Sequence, residues 1–199
     1  MMSSCEIISR CGQEVLPYLD AAARLRIEVF RDFPYLYDGT ADYESEYLQT
    51  YARCPDSIFV LALAAGEVVG VSTGLPLHAA DDAFQAPFRE VCLDTKNLFY
   101  HGESVLRHDY RGQGIGHAFF DHREDHARRI GCEAATFCSV VRPNNHPLRP
   151  PGYRSNEAFW RKRGYDPTEL YATLAWQQID FPQEQQNQLQ FWIRRKSDQ

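Results

Sequence analysis

Apolar positions recur along this chain with two periods, near two and near four residues, and their alternation lays out the elements. Residues 5–10 (C-E-I-I-S-R) suit a short first strand. Over residues 13–31 the positions Val15, Leu16, Leu19, Ala22, Ala23, Val29 and Phe30 keep mainly helical spacing and predict one long helix. Pro34 and Gly39 punctuate an aromatic loop, after which Thr40 or Asp42 caps a helix carrying Tyr43, Tyr47 and Tyr51 and ended by Pro55. Residues 57–65 and 67–75, broken only at Gly66, read as an antiparallel hairpin whose second arm stops at Pro76.

Residues 81–92 predict a short helix interrupted at Pro87, and a strand follows from Leu98 to about His108. A strong helical pattern over 114–130 ends at Gly131, which suits the left-handed residue that closes a helix. Residues 133–141 are apolar enough for a buried strand. The loop 142–154 with its four prolines leads to a helix capped by Ser155 or Asn156 and stopped at Gly164, and residues 165–178 extend the sheet. The Gln-rich stretch 183–190 has the composition of a tail, but Phe191-Trp192-Ile193 is apolar enough to return as a strand. No repeat or composition break divides the chain, so a single domain over residues 1–199 is expected.

Composition narrows the function more than the fold. With 44% hydrophobic and 24% charged residues, the chain fills one ordinary globular core. The 27 acidic against 21 basic side chains give a formal charge of −6, which argues against a grip on nucleic acid phosphates or an anionic membrane. No apolar run approaches the roughly 18 residues of a spanning helix, and residues 1–10 lack a leader pattern, so a cytoplasmic protein is expected. The six cysteines form no C-x-x-C pair, which points to buried reduced thiols. His122 and His126 stand four apart on a helix, but H-E-x-x-H is absent, so no metal site is assigned.

Candidate chemistry concentrates at Arg111-Gly112-Gln113-Gly114-Ile115-Gly116, between a strand and an amphipathic helix. Glycines at alternate positions allow a tight turn and leave backbone N–H groups uncovered at the positive end of a helix dipole, a cradle for phosphate. The dinucleotide fingerprint G-x-G-x-x-G fails in both registers, since His117 or Phe119 takes the last place, and no G-K-[ST] exists for a P-loop.

The pattern R-x-x-G-x-G does fit, and here the chain resembles the GNAT N-acetyltransferase superfamily. The likeness extends to Leu106 before the turn, to Ala118, Phe119, Phe120, Ala127, Arg128 and Gly131 in the helix after it, and to the element order over residues 5–178. The resemblance implies a mixed α/β fold with a largely antiparallel central sheet, a splayed parallel strand pair and helices on both faces. It also implies acetyl-CoA as co-substrate, with Leu106 and His108 lending backbone contacts to pantetheine. Arg111, Gly112, Gln113, Gly114, Ile115 and Gly116 would hold the pyrophosphate, and an N–H near Leu106 would face the developing oxyanion.

Acetyl transfer to an amine needs a base, because an ammonium cannot attack a thioester. Glu103, on the strand leading to the turn, is the first candidate, its pKa expected to rise on burial, with Tyr100 and His101 as neighbours able to share the role. The family's acid, a Tyr four residues before a G-F or G-Y pair, falls at Trp160, whose indole has no proton to give; Tyr153 and Tyr165 are the alternatives, or the thiolate leaves without an acid. Between Phe30 and Tyr51 lie seven aromatics and five acids, and Tyr35, Tyr37 and Asp38 are the candidate acceptor contacts. The helical tyrosines Tyr43, Tyr47 and Tyr51 read equally as core. The Pro-rich loop with Arg142, Arg149 and Arg154 reads as a lid or a stiff surface excursion.

The sequence thus points to an acetyl-CoA-dependent N-acetyltransferase acting on a small-molecule or peptide amine by direct attack in a ternary complex. Its partners are expected to be that acceptor, with no nucleic acid and no membrane, and a homodimer is left open. A non-catalytic acyl-CoA-binding module is the competing class, and a nucleotide-binding oxidoreductase the weaker third.

Overall fold

A computed structural model describes residues 5–195. Its seven strands form one sheet: β1 (Glu6–Cys11), β2 (Ile58–Ala64), β3 (Glu67–Pro76), β4 (Leu98–Leu106), β5 (Ala134–Val140), β6 (Asp166–Gln177) and β7 (Glu184–Arg195). Their spatial order is β1-β2-β3-β4-β5-β7-β6, and every neighbouring pair is antiparallel except β4 and β5. The helices are α1 (Leu19–Phe30), α2 (Ala41–Arg53), α3 (Asp82–Glu90), α4 (Ile115–Arg129) and α5 (Glu157–Lys162).

Helices cover both faces, which is why β2 (I-F-V-L-A-L-A) reads as a continuous apolar run rather than an alternating one. On one face α1, α2 and α3 bury Leu25, Leu48 and Phe88 against Leu75, Val105 and Phe191. On the other, α4 buries Ile115 and Phe119 against Ile58, Val60 and Phe99, and α5 borders a third cluster of Phe120, Phe137, Tyr165 and Trp192. This is the mixed α/β architecture expected from the sequence. Among the described residues no helix is long and apolar enough to cross a membrane.

Several boundaries differ from the expectation. The long first helix is a 3-10 segment over Gly12–Tyr18 that hands over to α1 at Leu19, since Pro17 has no N–H for the α-helical ladder. Pro87 does not interrupt α3, which runs through it, capped by the Asp81 side chain on the Ala83 N–H at 2.9 Å. The strand β4 ends at Leu106, because Arg107 bonds back to Val69 and His108 opens a 3-10 turn. The Gln-rich stretch is no tail: β7 starts at Glu184, with Asn187 buried and accepting a hydrogen bond from Gln178 at 3.1 Å. Glutamines alternate there with buried side chains because one face of the β6–β7 ribbon meets solvent.

Two irregularities of β4 position the site. It pairs with β5 only where Leu98–Tyr100 faces Ala134–Thr136; beyond that, β4 keeps β3 and β5 keeps β7, so the parallel pair parts toward its C-terminal ends. The register against β3 also jumps, from Gly74↔His101 to Ser72↔Ser104, so β4 carries one extra residue at Gly102–Glu103. Such a bulge re-aims side chains, and it turns Glu103 toward α1 and α2, the same face as Val105.

Candidate functional site

The turn after β4 has the geometry its glycines predict. Gly112 and Gly114 take φ of 76° and 84°, and Gly114 caps α4 in the left-handed conformation without a side-chain cap. Arg111 Nε donates to the Leu106 carbonyl at 3.2 Å and Gln113 Nε2 to the Asp109 carbonyl at 3.1 Å, so these side chains brace the turn from behind. Among the described residues no protein acceptor takes the N–H groups of residues 112–116. A Cβ at Gly112 or Gly114 would meet nothing within 4 Å. Open amides at a helix start, with space before them, are an anion cradle.

On the opposite face, the bulge brings Glu103 into a buried polar cluster. Arg26 of α1 reaches Glu103 Oε2 at 2.6 Å and also pairs with Glu44 of α2, and its guanidinium lies over the Tyr47 ring at 4.4 Å. Tyr47 donates to Glu103 Oε2 at 3.2 Å and its hydroxyl meets that of Tyr51 at 3.2 Å. Burial alone would pull the Arg26 guanidinium down, but Glu103, Tyr47 and Glu44 outweigh it and hold the group above its usual range. Two carboxylates thus share one guanidinium, and Glu103 Oε1 is buried without a partner.

The bulge carbonyls are satisfied from the other face by Arg123 of α4, which donates from one nitrogen to Thr73 O and Glu103 O, both at 3.2 Å. With only carbonyls for close partners in this buried setting, desolvation pushes Arg123 down to about 10. At the root of the parted strands, the Tyr100 hydroxyl lies 3.4 Å from Cys138 Sγ on β5. Burial pushes that thiol up to about 12, which keeps it protonated and unsuited to act as a nucleophile.

The parted strands, the bulge and the open turn lie within the span that one family describes. The profile of the Acetyltransferase (GNAT) family matches residues 23–165. The chain belongs to that family. Comparison with curated protein sequences returns no match. Among solved structures, the GNAT chain is similar to an N-acetyltransferase from Staphylococcus aureus (15% identity, TM-score 0.59, covering 96% of this chain and 98% of that one). It is also similar to a ribosomal-protein-alanine N-acetyltransferase from Brucella melitensis (15% identity, TM-score 0.60, 94% and 99%). A third, YncA from Salmonella typhimurium, solved with its cofactor acetyl-CoA, gives 12% identity and a TM-score of 0.57 over 97% and 95%.

The GNAT fold distributes the expected site residues unevenly. Tyr35 is brought to the site: its ring lies against Phe30 at 4.4 Å and Trp176 at 5.9 Å, and its hydroxyl, raised mainly by burial, also senses Cys138, Arg26, Glu103 and Tyr153. Tyr37 bridges to Gln178 and is raised by burial and by Glu44. Asp38 is not brought in; it is half exposed and pairs with Arg31. Leu106 ends β4 beside β3 at Gly70, and the His108 carbonyl is taken by the Arg111 N–H.

The Pro-rich loop joins the aromatic loop. Arg142 donates to the carbonyls of Pro34 at 2.7 Å and Tyr35 at 3.1 Å, while Tyr153 packs edge-on against Phe33 at 4.7 Å. Tyr165 sits elsewhere: it is fully buried on the α4 face and donates to Glu124 at 3.1 Å, with burial first and Glu124 second raising its pKa. Trp160, partly buried, packs against Phe137 and Trp192. His122 and His126 turn to different partners, Ser9 at 2.8 Å and the Asp56 carbonyl at 2.9 Å.

Arg26, Glu44 and Arg123 were not among the expected residues, although the first two left a trace. Arg26 lies four residues after Ala22 on the apolar stripe of its helix, and Glu44 shares a stripe with Leu48, where a charged residue implies a buried partner. The tyrosines of α2 spread across that stripe, Tyr51 buried and Tyr43 59% exposed, because each step of four residues drifts about 40° around a helix.

His101, just before the bulge, is 1% exposed with both ring nitrogens unpartnered, among Phe99, Phe120 and Tyr165. Burial, then Arg123, Arg163 and Arg194, hold its pKa well below the ordinary 6.5. The unfolded chain therefore binds this proton more readily than the folded one. The stability is complete above about pH 6.5 and falls as the pH drops below it, by about 1.4 kcal/mol per unit until the folded value is reached. Urea melts of His101→Phe and wild type at about pH 7 and about pH 5 are expected to show a smaller loss in the variant; equal losses would refute it.

Proposed function

We propose that this chain transfers the acetyl group of acetyl-CoA to an amine of a small molecule or peptide, by direct attack in a ternary complex. The observation that carries the reading is the parted β4–β5 pair, with uncovered amides of residues 112–116 after β4 and Glu103 on the α1–α2 face. The coenzyme's pyrophosphate would lie on those amides and its pantetheine along the β4 edge at Leu106, which points the thioester at the cleft between the strands.

Glu103 takes a proton from the acceptor ammonium, directly or through water. The freed amine forms the new C–N bond as the C–S bond breaks. The nitrogen gives up its second proton on becoming a neutral amide, replacing the one the acid hands to the departing thiolate, and the proton on Glu103 passes to solvent, so the transfer releases one proton in all. The edge amides of β4 left free by the parting suit the oxyanion that develops on the carbonyl oxygen. The acid role falls to Tyr153, which lies near Tyr35 at the mouth, whereas the Tyr165 hydroxyl is committed to Glu124 in the core. Tyr153→Phe is expected to slow turnover about tenfold with stability unchanged. Tyr165→Phe is expected to leave turnover intact while costing roughly 1 kcal/mol of stability, the scale of one buried hydrogen bond. Thiol release and thermal melting read both, and the reverse pattern would exchange the assignments.

Calorimetry with acetyl-CoA, followed by thiol release over a panel of polyamines, amino acids, aminoglycosides and N-terminal peptides, tests the proposal. Binding with turnover on one acceptor class is expected. Binding without turnover favours an acyl-CoA-binding module, which the indole at Trp160 makes the standing alternative, and no binding overturns the reading.

A further inference from the structure

Beside Glu103 the structure contains a cavity of about 350 Å³ that the catalytic reading does not use. It lies between α2 and the segment leading into α3, with Tyr43, Tyr47, Tyr51, Phe84 and Tyr100 as aromatic walls. Glu46 and Asp81 are exposed and are its only charged lining residues. Asp81 uses Oδ1 to cap α3. Two wall residues also touch groups on the cleft side. Tyr47 donates to Glu103 Oε2, and the Tyr100 hydroxyl reaches Cys138 on the facing strand. Glu103 Oε1, on a side chain 3% exposed, has no partner next to this wall.

Aromatic faces attract a cation through their quadrupole and carboxylates at the mouth attract it by charge; no Lys or Arg lines the cavity, and since the Arg26 guanidinium already lies over the Tyr47 ring, the attraction is carried by Tyr43, Tyr51, Phe84 and Tyr100 with the two carboxylates. The cavity's volume of about 350 Å³ is ample for a short alkyl chain. We infer that the acceptor is a linear amine with a second cationic nitrogen, the reacting nitrogen at Glu103 and the distal one in this aromatic cavity under Glu46 and Asp81. This assignment rests on the acetyl-transfer reading above, and it makes the cavity the element that selects the acceptor. An acceptor ending in a carboxylate is excluded there by like charge, and one ending in a methyl group gains only the aromatic contact.

The test uses three probes of equal chain length, cadaverine, n-pentylamine and aminovalerate, titrated into the full chain saturated with coenzyme A. Coenzyme A carries no acetyl group, so binding is read without turnover. Cadaverine is expected to bind about tenfold more tightly than n-pentylamine, with aminovalerate weakest. In the double variant Glu46→Gln, Asp81→Asn, cadaverine is expected to fall to the level of n-pentylamine, while n-pentylamine and coenzyme A bind as before. Asn keeps the cap on α3, so a melting curve like the wild type's separates this from misfolding.

Equal affinity for cadaverine and n-pentylamine, or an undiminished cadaverine preference in the double variant, overturns the inference. Thiol release with acetyl-CoA then divides the failures. Acetylation of n-pentylamine as fast as of cadaverine leaves the transferase reading standing and removes the cavity assignment. Selective cadaverine binding without thiol release keeps the cavity and removes the transferase reading.

Discussion

Glu103→Gln is expected to lower kcat by roughly 10²- to 10⁴-fold, the range over which a positioned base acts, while the Kd for acetyl-CoA stays within about twofold. The split follows from position. Glu103 faces α1 and α2 at the bulge, whereas the amides of residues 112–116 lie beyond the end of β4. Gln is close to isosteric and still accepts the Tyr47 hydroxyl, and Arg26 keeps Glu44, so the cluster loses a charge without leaving the guanidinium unpaired. The fold therefore survives, at a cost a melting curve measures directly. Turnover equal to wild type in the Gln protein would remove Glu103 from the mechanism.

Gly114→Glu is expected to weaken acetyl-CoA binding by about a hundredfold or more, the largest affinity change in prospect. Gly114 has φ of 84°, a conformation an L residue adopts at a cost of about 1–2 kcal/mol, and a carboxylate there would repel the diphosphate and cover the amides. Crowding is not the cause, since a Cβ at this position has open space around it. Gly114→Ala pays the backbone strain without the charge and is expected to lose far less affinity, which separates the two contributions in one calorimetric series. Retained affinity in the Glu variant would move the coenzyme away from this turn.

The two variants probe parts of the site that were unequally legible. The turn at Arg111–Gly116 could be read because its geometry is a matter of backbone, and three glycines in a short run before a helix announce uncovered amides directly. The acceptor side could not be read in the same way. Tyr35, Tyr37 and Asp38 lie close together in sequence, yet Tyr35 packs on Phe30 and Trp176, Tyr37 meets Glu44, and Asp38 pairs with Arg31. Neighbours in a loop have no fixed relation to one another until the loop is held, here by Arg142 on Pro34 and Tyr35. Tyr43 and Tyr47 were legible only as a helical stripe, and their place on a cavity wall depends on α3 arriving opposite them.

Glu103 shows the same division within one residue. Its position on the strand before the turn was readable, and Gly102 beside it was the sign of a bulge or close approach: a Cβ there would run into the Tyr51 hydroxyl and Thr73 Oγ1. Strict alternation from Tyr100 would have placed Glu103 on the α4 face, and only the register jump against β3 reverses it.

Periodicity, breakers and turn glycines act over a few residues, so the sequence by itself determined the order of strands and helices, the open turn before α4 and the membership of the sheet. Which strands part, which way Glu103 faces, and which carboxylates share Arg26 depend on residues tens of positions apart meeting in space. Those contacts are decided by the packing of α1 and α2 against β4, and no local pattern in the chain encodes that packing.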